Sequence, residues 1–247
     1  MGVRTYLRSP VALAWTLLGI AGVGTVVAAG WRLAVVLASS TAIADPAFLG
    51  DLGVVVLAGV VVGTVLAVSA AVWLPCSAAI AYAVGRRRRG RPACLAGTLD
   101  VVRARSEPLY RWAKVNVAIG PIADRVLTEN DVATVEVAAG CGGFVVPAIV
   151  LDAPTLPSAV ERANRVVPRP GRQRIQLAGG VGTGAVTAAA GGIGTVAGGA
   201  LPAGVALPPA SVLVVAALVV GLAVTAALDV AWRAGVYAAA PDDGFSR

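Results

Sequence analysis

From Leu52 to Gly85 the chain runs 34 residues without a charged side chain, and then places five arginines in six positions, Arg86, Arg87, Arg88, Arg89 and Arg91 around Gly90. As a helix rising 1.5 Å per residue, an apolar run of that length reaches about 50 Å, more than the ~30 Å hydrocarbon layer of a bilayer. An arginine at the centre of that layer costs about 2.5–3.5 kcal/mol on insertion scales, so the cluster belongs on the water side. The two features together define a membrane span and one of its ends. The excess length calls for tilt, an extension into water or a kink, and Pro75 is the natural kink because it removes a backbone hydrogen bond.

Other apolar runs follow the same logic. Arg4 and Arg8 precede Val11 to Trp31, 21 residues free of charge and long enough to cross. Ala42-Ile43-Ala44 has the small-x-small form of a signal-peptide cleavage site, but the apolar region is too long for one and Arg32 would sit inside it, so an uncleaved first helix is the reading. Leu33 to Ala44 continues that helix or lies at the outer interface, and Asp45-Pro46 is expected to end it, since proline biases its predecessor away from helix. A loop from Asp45 to Asp51 then leads into the second span.

Between Pro92 and Leu127, the positions Leu99, Val102, Leu109, Trp112 and Val115 recur with partial helical periodicity, while Arg103, Arg105, Arg111 and Lys114 supply cations. This predicts an amphipathic helix on the inner face, broken at Pro108. Val115 to Ile122 is apolar but short and interrupted by Asn116 and Gly120-Pro121. Across a turn at Thr128 to Asp131, a second apolar stretch, Val132 to Leu151, contains Glu136 and Pro147. The two stretches are either a weak helical hairpin that crosses or a re-entrant pair. Both add an even number of crossings, so everything downstream keeps its side.

Asp152 to Arg174 carries Arg162, Arg165, Arg169, Arg172 and Arg174 among four prolines, a second basic segment in which Ser158 to Val167 reads as a short helix. Ile175 to Leu201 is the fifth span, with nine glycines between Gly179 and Gly199. Its small residues permit close helix approach, as in Gly180-x-x-x-Gly184. Packing within the chain is the first reading of that stripe; a seam for a second copy or a membrane-protein partner is the other. The final span is Ala210 to Leu228, followed by Asp229, Trp232, Arg233 and Tyr237. Asp229 and Arg233 stand four apart with the acid first, the favourable order for a helical ion pair, and are read as an interfacial pair.

Placing Arg86 to Arg91 in the cytoplasm puts 18 of the 20 basic residues inside, leaving only Arg32 and Arg125 outside. The positive-inside rule therefore gives a multi-pass cell-membrane protein with both termini cytoplasmic. Composition agrees: 57% of residues are hydrophobic and 13% charged, against about 25% charged in a soluble domain. The net charge of +7 does not indicate nucleic acid, because aromatics are 5% and the arginines fall in short clusters between apolar runs.

Chemistry is limited by what is missing. The chain has no histidine, hence neither the usual proton shuttle nor the commonest metal ligand. Cys76, Cys94 and Cys141 lie far apart, without a CxxC spacing, and read as small apolar residues. The acids at membrane depth, Asp124, Glu136 and Asp229, are not paired with another acid nearby, and the glycine-rich stretch lacks the lysine and preceding strand of a phosphate-binding loop. No catalytic, cofactor or metal site is expected, and the chain is not read as an enzyme. Two candidate sites remain. One is the set of head-group or topology anchors Arg86, Arg87, Arg88, Arg89, Arg91, Arg162, Arg165, Arg169, Arg172 and Arg174, whose partner would be the bilayer and its anionic lipids. The other is an intramembrane polar site from Asn116, Asp124, Glu136 and Asp229, as a transporter or channel would need.

The stretch Phe144-Val145-Val146-Pro147-Ala148-Ile149-Val150-Leu151-Asp152, followed by Pro154, Leu156, Ala159 and Arg162, resembles an uncharacterised family of polytopic membrane proteins of archaea and bacteria. In that family a helix end of the form FVVPxIVxE leads into an amphipathic helix with Ala-x-x-Arg-Ser. The likeness runs over roughly 86–237, with two departures: Ala163 stands at the serine position, and the stretch before Arg86 lacks a proline-containing start. The resemblance implies six membrane helices and no assigned activity. The combined expectation is an all-α, polytopic transmembrane bundle of about six spans, or four plus a re-entrant pair at 115–151. It forms one integral membrane domain over 1–247, with cytoplasmic segments at 86–114 and 152–174.

Overall fold

A computed structural model describes residues 2–39, 46–117, 142–153, 155–166 and 210–240, and all their regular structure is helical. In chain order the helices are α1 (Gly2–Leu7), α2 (Pro10–Ser39), α3 (Pro46–Arg88), α4 (Leu95–Ala104), α5 (Ser106–Val117), α6 (Gly142–Leu151), α7 (Leu156–Val166) and α8 (Ala210–Tyr237). Helices α2, α3 and α8 are long and apolar enough to cross a membrane. A fourth span results if α6 and α7, which meet at 118°, are one broken crossing. The chain is thus an all-helical protein built around apolar helices of membrane-spanning length. The rest of the expected 115–151 pair and the glycine-rich 175–201 run lie outside the described residues.

Helix α3 is the axis, touching α1, α2, α4, α5, α6 and α8. It runs antiparallel to α2: Gly19 faces Trp73 and Cys76, Gly22 faces Val72, and Gly30 faces Val65. The loop expected from Asp45 to Asp51 gives way to the first turns of α3. Pro46 opens that helix, where its missing N–H is one of the donors a first turn leaves unpaired in any case. The helix continues through Pro75 without a break. The buried core begins directly after it, with Cys76, Ala78, Ala79, Ile80, Ala81, Ala83 and Val84 all buried. Val145, Ala148 and Ile149 of α6, Ala159 and Ala163 of α7, and Ala227, Ala231 and Ala234 of α8 belong to the same core. Alanine is so frequent there because bundles in lipid are held by close backbone approach rather than by exclusion of water.

By contrast, Val55, Val56, Val60, Val62 and Leu66 of the first half of α3 are exposed, as are Leu17, Leu18 and Val36 of α2. Apolar side chains that face outward in rows suit a lipid environment. The core therefore gathers at the end of α3 that carries the arginines. Helix α1 closes the same end: Gly2 lies against the backbone of Ala231 and Gly235, and Tyr6 is buried. The Thr16 hydroxyl donates to the Ala12 carbonyl at 3.0 Å, so the Tyr6 hydroxyl donates to Thr16 Oγ1 at 2.8 Å. The first residues and the end of α8 consequently share one end of the bundle with Arg86.

Candidate functional site

The arginine cluster is built by a helix ending. Arg86, Arg87 and Arg88 occupy the last turn of α3, where cations complement the negative end of the helix dipole. Gly90 then takes φ 73°, the left-handed conformation that ends a helix. Arg91 N–H donates to the Arg86 carbonyl at 3.0 Å and Gly90 N–H to that of Arg87 at 3.2 Å, the paired bonds of a Schellman ending. Arg86 Nη1 turns back to donate to the Tyr82 hydroxyl at 2.7 Å, and its guanidinium lies 5.5 Å from that ring's centroid.

Arg89 reaches across to α6. Its Nη1 and Nη2 donate to Asp152 Oδ1 and Oδ2, both at 2.7 Å, a two-pronged clasp between residues 63 apart in the chain. Asp152 sits just past α6, which closes through bonds from Asp152 and Ala153 N–H to the Ala148 carbonyl. The Tyr237 hydroxyl from the end of α8 also bonds this carboxylate, and Arg162 of α7 adds a nearby positive charge. Burial alone would raise the carboxyl's pKa; the Arg89 fork, the Tyr237 hydroxyl and Arg162 outweigh it and hold Asp152 below its ordinary value. One carboxylate thus ties α3, α6, α7 and α8 together at the basic end.

Three short helices dress that end. Cys94 caps α4, its Sγ accepting from Gly97 N–H at 3.3 Å. The break between α4 and α5 falls at Arg105, three residues before the expected position at Pro108. The Pro108 ring would collide with the Ala104 carbonyl in a continuous helix, so α4 stops at Ala104 and the proline sits in the first turn of α5. Val102 of α4 and Leu109 and Trp112 of α5 are buried in the core. In α7, Leu156, Ala159, Val160 and Ala163 form the buried stripe, while Glu161 and Arg165 make an exposed ion pair one turn apart.

Among the expected anchors, Arg86, Arg87, Arg88, Arg89, Arg91, Arg162 and Arg165 all belong to this layer. Arg169, Arg172 and Arg174 lie outside the described residues. The four candidate intramembrane residues are not brought together among the described residues. Asp124 and Glu136 fall outside them, and Asn116 is in α5 with its side chain undescribed. Asp229 pairs with Arg233 at 2.6 Å, as its spacing predicted. Arg233 is only 15% exposed, its guanidinium packs over Gly143, and its Nε is buried without a hydrogen-bond partner among the described groups. No three His, Cys, Asp or Glu side chains converge among the described residues.

The sequence names Asp152 as the acidic end of a motif and Tyr237 as a residue closing the last span, but does not join either to Arg89. Their partners are remote in sequence, so no local spacing announces them. The available signal was the acid itself, a lone carboxylate closing an apolar helix at the end of the molecule that carries the basic surplus. No family model, curated protein or solved structure matches the chain.

Proposed function

We propose that this chain is a polytopic integral membrane protein with a structural, lipid-associated role. In this reading the two basic segments form one layer on the cytoplasmic face that holds anionic lipid head groups. About six spans cross the bilayer, both termini are cytoplasmic, and the chain carries out no catalysis. The resemblance of the 144–162 stretch to a six-helix family belongs to the same proposal. The observation that carries it is the clasp: Arg89, Asp152, Arg162 and Tyr237 hold α6 and the amphipathic α7 to the end of the bundle where Arg86 to Arg91 emerge. Segments 86–114 alone contain nine basic and two acidic residues, a surplus equal to the net charge of the whole chain. Cations at such an interface attract anionic head groups by about 1 kcal/mol each.

The test is lipid retention. Purified protein in nanodiscs of mixed phosphatidylcholine and phosphatidylglycerol should retain the anionic lipid selectively after delipidation, and Arg86→Gln/Arg87→Gln/Arg88→Gln should abolish the selectivity. Equal retention of both lipids by the unaltered protein would overturn the proposal. A second reading, a small-solute transporter or channel component working through 115–151, is favoured by the half-buried Asp229–Arg233 pair beside Gly143. That reading requires substrate-dependent flux in proteoliposomes that Glu136→Gln or Asp124→Asn removes.

A further inference from the structure

Among the described residues, the 86–114 segment carries apolar side chains that remain exposed. Thr98 and Val102 of α4 are buried, yet the adjoining stripe of Leu95 and Leu99, four residues apart, is 53% and 44% exposed. Arg103 continues that stripe by another four residues and is exposed, as is Arg91 just before the helix. In α5, Leu109 and Trp112 turn inward while Tyr110 is 63% exposed, with Lys114 Nζ 4.9 Å from its ring centroid. The apolar periodicity of the sequence therefore contains two faces, one spent on the core and one left outward and bordered by cations.

We propose that this outward face is immersed in an anionic leaflet, so that α4 and the start of α5 form a collar lying in the bilayer interface around the end of α3. The inference rests on the lipid-associated reading above and specifies the surface and its depth. Helix α4 begins seven residues after α3 ends, so continuity of the chain keeps it at the level where the span leaves the hydrocarbon. An amphipathic helix with cations beside its apolar stripe settles about 5–10 Å into the head-group and acyl boundary of such a surface. Leu95 and Leu99 then meet acyl chains, and Arg91 and Arg103 meet phosphates. Tyr110 is amphipathic and suits the same level, with Lys114 directed to the head groups. Binding of nucleic acid would engage the cations but would leave the exposed leucines in water.

Nitroxide labels report the depth directly. Leu99→Cys and, as an embedded control, Leu17→Cys are placed in protein whose native cysteines are changed to alanine, and reconstituted in phosphatidylcholine vesicles with or without phosphatidylglycerol. Collision rates with oxygen, which concentrates in acyl chains, and with a water-soluble nickel complex are compared. Both labels are expected to favour oxygen in the anionic vesicles. The Leu99 label is expected to shift several-fold toward nickel in phosphatidylcholine alone, or after Arg91→Gln/Arg103→Gln. Leu17 favouring oxygen with Leu99 favouring nickel in both vesicles would overturn the collar and leave the membrane reading standing. A Leu99 label indifferent to anionic lipid would overturn the charge requirement. A nickel-favouring Leu17 label would overturn the membrane reading and the collar with it.

Discussion

Replacing either partner of the Arg89–Asp152 clasp tests whether it holds the basic layer on the bundle. The side chains are 29% and 23% exposed, so the pair lies between two measured limits. Exposed ion pairs contribute about 0.2–1 kcal/mol, whereas breaking a fully buried pair costs about 3–5 kcal/mol. Two charge-assisted bonds at 2.7 Å in fork geometry place it above the surface value. Water still reaches the orphaned partner, which keeps it well below the buried one. Arg89→Gln and Asp152→Asn should each lower stability by about 1–2 kcal/mol, measured by titration from mild detergent into denaturing detergent. In the double variant the losses should fall short of additive by about 1 kcal/mol, since either change alone breaks the same contact. Losses that add to within about 0.3 kcal/mol would refute the clasp as an energetic link.

Further outcomes follow from the same contacts. Asp152 has a folded-state pKa below its unfolded value, so the stabilisation is fully present above the ordinary carboxyl range of about 4 and is lost as pH falls through the lower folded value. The stability gap between the unaltered protein and Asp152→Asn should therefore be flat from neutral to mildly acidic pH and close below about pH 4, as followed by tryptophan fluorescence. Tyr237→Phe removes the hydroxyl that reaches Asp152 and should cost about 0.5–1.5 kcal/mol in the same detergent titration. At Gly143 a methyl group would occupy the space of the Arg233 guanidinium. Gly143→Ala should cost about 1–2 kcal/mol, and the penalty should shrink in an Arg233→Met background, where a flexible neutral chain replaces the guanidinium. Gly235→Ala would press on the Gly2 backbone, which has no rotamer to yield. It should loosen α1, visible as faster hydrogen exchange around Tyr6 with little change in α6.

How far these features can be read in advance depends on the range of the forces that make them. Three helices of membrane-spanning length were legible because a bilayer imposes its thickness on a sequence: the uncharged run before Arg86 becomes α3, the run after Pro10 becomes α2, and the last apolar run becomes α8. Local signals also carried the Asp229–Arg233 pair and the short helix with Arg162 and Arg165. Proline was read less well at two places. The sequence predicted a loop running on to Asp51 and a break at Pro108, whereas Pro46 and Pro108 both sit in first turns, where they are tolerated. A proline marks a boundary without saying on which side of it the helix lies. The clasp was invisible for a different reason. Asp152 meets Arg89 and Tyr237 only after α3, α6 and α8 have packed, and that packing rests on many alanines that could suit several partners. The same degeneracy hid the division of the 95–112 apolar residues between core and outward face, since a period of 3.6 records that a residue is apolar but not which neighbour covers it.

In the proposed orientation, Arg86 and the layer around it lie on the cytoplasmic face, across the bilayer from the start of α3. Single cysteines at Arg86 and Ala47, in protein whose native cysteines are changed to alanine, can be probed in intact cells with a membrane-impermeant maleimide. Ala47→Cys is expected to label from outside, and Arg86→Cys only after the membrane is opened. Labelling of both from the same side, or of Arg86→Cys alone in intact cells, would contradict the orientation and the lipid-facing layer built on it.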